Sequence, residues 1–162
     1  ICPDGFFAIG HGEKEYPCLL EFDSGSMPVH RSNPNLTSIA RKLLTYWHLW
    51  DQNIQYRKGL LRSSPLRDFF GVQAFRVLFI TTTPERIASM IKACQDLFEA
   101  GRKLFWFTTF DQITLNDPQN VFKPICYTGA TELSNNRVVP PQQTLQQPFS
   151  IEHLPQSLIP LD

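Results

Sequence analysis

Three carboxylates stand where two apolar segments begin and end. Asp4 precedes the run Gly5-Phe6-Phe7-Ala8-Ile9, and Glu21 and Asp23 close the run that starts at Tyr16-Pro17-Cys18. The Gly10-His11-Gly12 connector between the runs predicts a β-hairpin, which brings the two tips together. Strand side chains alternate, so Glu21 and Asp23 project to one side and Phe22 to the other. Carboxylates gathered in this way push one another toward protonation unless a cation sits among them, and a hard divalent ion with oxygen ligands is the usual relief. The expected ligands are Asp4, Glu21 and Asp23, with the main-chain carbonyl of Phe22 as a further one. The chemistry would be metal-assisted hydrolysis, with polarisation of a phosphoryl oxygen and activation of a bound water. A second reading stays open beside it, because Pro3-Asp4-Gly5 is also a turn signal and Glu21 with Asp23 also suits the solvated end of a strand.

The elements that must position these groups follow in order. Residues 24–35 are rich in Ser, Gly, Pro and Asn and read as a loop. From Pro34, the recurrence of Leu36, Ile39, Ala40, Leu43, Leu44, Trp47 and Trp50 predicts a helix. Lys42 falls on the flank of its apolar face beside Ile39 and Tyr46, better aimed at the strand tips than Arg41. Residues 51–73 carry no sustained period and hold Arg57, Lys58, Arg62 and Arg67. This stretch reads as a flexible basic loop beside the carboxylates, suited to a phosphate backbone, or else as a solvated surface loop. The nearly continuous apolar run from Phe75 to Thr82 predicts a central strand. Thr83 and Pro84 then cap a helix whose stripe is Ile87, Met90, Ile91, Cys94, Leu97 and Phe98, ending near Gly101. A strand from Leu104 to Thr108 completes a right-handed parallel crossover. A short strand is expected over Phe122–Tyr127. The Pro- and Gln-rich segment 133–162 reads as an extended arm behind one α/β domain spanning 1–132.

With 162 residues the chain is long enough for one substantial core, and its formal net charge of zero excludes a polybasic protein. Cys2, Cys18, Cys94 and Cys126 have no paired spacing, so neither a zinc module nor a disulfide framework is indicated. His11, His30, His48 and His153 likewise lack ligand spacing. No apolar run spans a bilayer and no signal sequence opens the chain, so the expectation is a cytoplasmic protein without membrane contact. The opening Ile1, at a strand edge, leads us to expect a portion of the protein ahead of it.

Pro3-Asp4, a gap of sixteen residues and Glu21-Phe22-Asp23 together resemble the PD-(D/E)XK nuclease superfamily. Pro3-Asp4-Gly5-Phe6, Leu20-Glu21-Phe22-Asp23-Ser24-Gly25, Lys42 with Tyr46, and Phe75-Arg76-Val77-Leu78 with Thr81-Thr82 resemble more narrowly the replication-relaxation family of plasmids and other mobile elements. The resemblance covers roughly residues 1–110 and rests on the order of short motifs. It implies a restriction-endonuclease-like mixed sheet flanked by helices, DNA as partner and Mg²⁺ or Mn²⁺ as cofactor. It also implies a winged-helix region ahead of Ile1; a homodimer is compatible with the sequence. The catalytic set it implies is Asp4, Glu21, Asp23 and Lys42. The superfamily pattern has lysine where Asp23 stands. Two consequences are open: Lys42 supplies the missing ammonium from the following helix, or Lys42 only covers aromatic surface and Asp23 marks a degenerate, non-cleaving site in a fold that serves only DNA binding or protein assembly.

Overall fold

A computed structural model of the protein describes residues 2–11, 14–33, 36–72, 74–113 and 127–138. Its centre is a five-stranded sheet in which β1 (Gly5–His11), β2 (Lys14–Phe22), β3 (Arg76–Thr81), β4 (Phe105–Thr109) and β5 (Tyr127–Thr128) follow one another in spatial order. The hairpin is present, with register running from Gly5↔Leu20 to His11↔Lys14. β2, β3 and β4 are parallel neighbours, and β5 closes the far side antiparallel to β4. The fold class is therefore mixed α/β, as the periodicities predict. Of the strand expected over Phe122–Tyr127, residues 122–126 lie outside the described residues and Tyr127 belongs to β5.

One face of the sheet makes the core. Leu19, Val77, Phe79, Phe105 and Phe107 point to the same side and pack with Ile39, Leu43 and Tyr46 of α1 (Ile39–Arg57) and with Ile87, Met90, Ile91 and Cys94 of α3 (Pro84–Leu97). Both helices thus lie on that side, each linking one parallel strand to the next. On the opposite face Cys18, Leu78 and Thr108 are buried, while Phe22 and Phe110 stack on each other half-exposed, with ring centroids 5.9 Å apart.

Local chemistry explains the boundaries. Thr83 caps α3, its hydroxyl accepting from the Arg86 N–H at 3.2 Å, and Pro84 fills the first turn, where a missing N–H costs nothing. α1 starts later than the apolar pattern suggests, because Ser38 caps it by accepting from the Arg41 N–H at 3.2 Å. It also runs further. Residues 51–57, expected in a loop, are its last two turns, and Pro65–Phe70 forms the short helix α2, closed by Gly71 in the left-handed region at φ 67°. The apolar stripe stops at Trp50 because the next core-facing position holds Asn53, buried and bonded to the Ser64 hydroxyl at 3.0 Å. A satisfied polar group there hides the helix from a periodicity argument without interrupting it.

The segment read as an arm begins with a small hairpin, β6 (Leu133–Ser134) and β7 (Arg137–Val138), while residues 139–162 lie outside the described residues. Asn135 and Asn136 both adopt positive φ, 50° and 59°, the conformation a two-residue turn requires and asparagine tolerates. Leu133 and Val138 pack against the core, which is what holds this hairpin to the domain. Among the described residues no helix is long and apolar enough to cross a membrane.

Candidate active site

Glu21 sits on the core-facing side of β2, at the end where the parallel strands terminate, and is 0% exposed. A buried carboxylate survives only if its oxygens are paired. Both are: the Lys42 ammonium donates to Oε2 and the Tyr46 hydroxyl donates to Oε1. Lys42 and Tyr46 are four residues apart on α1, so one helix face delivers both donors.

Asp4 approaches from the neighbouring strand. Its backbone N–H donates to the Leu20 carbonyl at 2.9 Å, and its Oδ2 accepts from the Phe22 N–H at 2.8 Å. The side chain of Asp4 therefore stands in for a backbone acceptor at the open end of the hairpin, beside the peptide that joins Glu21 to Phe22. The phenol of Tyr46 feels this neighbourhood. Burial pushes its ionisation up, and the hydrogen bond to Glu21 and the charges of Glu21 and Asp4 push it further. These effects all favour Tyr46 as a neutral donor.

Asp23 shares the face of Glu21 but turns to other partners. It is 4% exposed, accepts from the Thr81 hydroxyl at 2.7 Å, and takes both prongs of Arg86, Nε to Oδ2 at 2.8 Å and Nη2 to Oδ1 at 3.0 Å. Burial works to raise this carboxyl, but the Arg86 and Thr81 bonds and the Arg86 charge outweigh it and hold it below the ordinary aspartate value. Arg86 also donates to the Met27 carbonyl. Among the described residues no group of three or more His, Cys, Asp or Glu side chains is placed to hold a metal. Of the three carboxylates expected to converge, Asp4 and Glu21 flank one peptide and Asp23 is committed to α3.

The basic residues lie elsewhere. Arg57 ends α1 and Lys58 caps it, fifteen residues beyond Lys42 (57 − 42), which is about 22 Å along the helix. Arg62 is exposed in the connection that follows, and Arg67 on α2 stacks over Tyr56 at 5.5 Å while donating to its hydroxyl. The stretch expected as a loop next to the carboxylates is thus helix end, linker and short helix at the opposite end of α1, because the helix continues past Trp50.

Sequence reasoning missed Tyr46 and Arg86 as site partners. Tyr46 carried a signal, one turn after Lys42 on the same flank. Arg86 carried another: a cation in the first turn of a helix opposes the helix dipole, so a particular anion must hold it there. His30 and His48 are exposed, and Cys18 and Cys94 are buried thiols whose ionisation burial pushes up, Cys18 to about 12. Cys126 and His153 lie outside the described residues.

Comparison of the chain with protein-family models, with curated proteins and with solved structures returns no match. The site is therefore read from its own geometry. Glu21 carries a lysine on one carboxylate oxygen and a tyrosine hydroxyl on the other, and the Asp4 carboxylate lies on the adjoining Phe22 peptide. Such a donor set suits Mg²⁺, which takes one or two carboxylates and keeps several waters. Each Glu21 oxygen that accepts one hydrogen bond retains a second lone pair for coordination.

Proposed function

We propose that the chain is a restriction-endonuclease-like, cytoplasmic domain that acts on DNA in the replication of plasmids or other mobile elements, as a phosphodiesterase dependent on Mg²⁺ or Mn²⁺. The observation that carries this reading is the Lys42 ammonium on the Glu21 carboxylate. It returns to the site, from the following helix, the positive group that the nuclease pattern has at the position of Asp23. The strand order supports it as well: an antiparallel pair bearing Asp4 and Glu21, followed by parallel strands in consecutive order, suits such a sheet.

Asp4 and Glu21 would hold the ion, whose contribution when bound is to polarise a phosphoryl oxygen and lower the pKa of a water. Lys42, 19% exposed at its side chain, reaches from the buried carboxylate toward solvent and would orient that water and meet developing charge on the phosphate. Tyr46 fixes the carboxylate so that one oxygen faces the lysine. Arg57, Lys58, Arg62 and Arg67 would track the backbone. At about 3.4 Å per base pair, 22 Å corresponds to roughly six or seven base pairs from the scissile bond. A supercoiled-plasmid nicking assay with Mg²⁺ and with Mn²⁺ tests the reading, and equal activity from wild type and Asp4→Ala would refute it.

A second reading is favoured by Asp23. Its two-pronged bond to Arg86 turns the third position of the acidic motif into a structural anchor, as in a nuclease-like fold that only binds DNA. That protein would bind DNA without metal and with steep salt dependence. A strict metal requirement for binding would count against it.

A further inference from the structure

The position next to Glu21 already holds a cation. Glu21 is 0% exposed, one oxygen accepts from Lys42 and the other from Tyr46, and the Asp4 carboxylate is fixed on the adjoining Phe22 peptide. A divalent ion on Glu21 would meet the Lys42 ammonium at contact range, and like charges in a partly desolvated site repel strongly. Tyr46 does not repel it, because the phenol is neutral. The two donors on Glu21 therefore play opposite parts: one organises the carboxylate, the other competes for it.

We propose that Lys42 is the resident counter-ion of Glu21 and holds the cation seat against divalent metal, so that metal affinity in the free protein is set by the lysine as much as by the carboxylates. The inference rests on the reading of Asp4 and Glu21 as that seat. In the free protein the ion pair holds the buried carboxylate in place. A metal ion on Glu21 weakens the ammonium contact, and whatever draws the ammonium toward itself, a phosphate oxygen above all, strengthens metal binding and is itself bound more tightly, by the same factor, when the metal is present.

Calorimetric titration of Mn²⁺ into the full chain tests this, with Lys42→Gln, which keeps an N–H donor and removes the charge, Lys42→Met, which removes both, and Tyr46→Phe. Lys42→Gln should bind Mn²⁺ at least tenfold more tightly than wild type. Tyr46→Phe should show no such gain, and Glu21→Gln added to Lys42→Gln should abolish it. Metal-free Lys42→Met should melt below wild type, with Mn²⁺ restoring more of its melting temperature than it adds to wild type. Should Lys42→Met not fold, Lys42→Gln carries the comparison. Equal or weaker Mn²⁺ binding by Lys42→Gln, including no binding by either protein, overturns the inference. The phosphodiesterase reading is tested separately, by wild-type nicking: tighter binding without nicking leaves the counter-ion role and removes the nuclease, and nicking without tighter binding does the reverse.

Discussion

Arg86 and Asp23 meet in a two-pronged ion pair, 2.8 Å and 3.0 Å, that joins the first turn of α3 to the end of β2. Arg86 extends the tie to the Met27 carbonyl. The carbonyls of Pro28 and Val29, just beyond, accept from the N–H groups of Ile39 and Ala40 at 3.1 Å and 2.9 Å. The pair is thus linked, through the Met27–Val29 segment, to the first turn of α1, which Ser38 caps.

Breaking this pair should cost about 3 kcal/mol, since removing one partner leaves a buried charge uncompensated. Arg86→Met and Asp23→Asn are each expected to be destabilised by that order in urea unfolding. The double variant should lose less than the sum, and a strictly additive double-mutant cycle would contradict the coupling.

Acid stability should report the same carboxyl. The folded Asp23 carboxyl lies below its unfolded value of about 3.9, so it contributes stability that is fully present above that pH and is lost as pH falls through the folded value. Urea midpoints followed from pH 7 downward should be flat near neutrality and decline below about pH 4. Asp23→Asn should be less stable at neutral pH and show a shallower acid decline.

If the proposed phosphodiesterase reading holds, Lys42→Ala should reduce plasmid nicking by on the order of 10² to 10³, the loss expected on removing a group that meets transition-state charge, while DNA affinity at fixed salt changes little. Asp4→Ala should abolish nicking. Gel-shift and nicking assays on the same preparations separate the two quantities.

The surface cations should act on binding alone. Lys58→Ala and Arg62→Ala are each expected to weaken DNA binding irrespective of sequence and to reduce the slope of log affinity against log salt by about one. Arg67→Ala should perturb α2 as well, because Arg67 is stacked on Tyr56. Fluorescence titrations at several salt concentrations distinguish the three.

The buried Asn53–Ser64 bond should support the C-terminal half of α1. Ser64→Ala leaves the Asn53 side-chain oxygen without that donor and is expected to cost about 1 to 2 kcal/mol in urea unfolding.

Alternation and helical period are local properties, so the hairpin, the cap of α3, the Ile87, Met90, Ile91 and Cys94 part of its stripe, the parallel strand pair and the flank position of Lys42 were legible in the order of residues, whereas Leu97, counted in that stripe, is exposed. Direction along the chain was enough to put Asp4 and Glu21 at one end of paired strands. The later turns of α1 were not legible, because Asn53 breaks the apolar pattern and its buried side chain is accommodated by bonds such as that from Ser64, eleven residues on. Nor was the fate of Asp23. A strand places Glu21 and Asp23 on the same face, but which cation each one meets depends on where α1 and α3 pack over that face. Lys42 and Arg86 stand twenty-one and sixty-three residues from their acids. The sequence by itself determined that carboxylates stand at the tips of the hairpin strands; only the tertiary structure decided which cation each of them meets, because charge compensation is settled by distance in space and not by spacing along the chain.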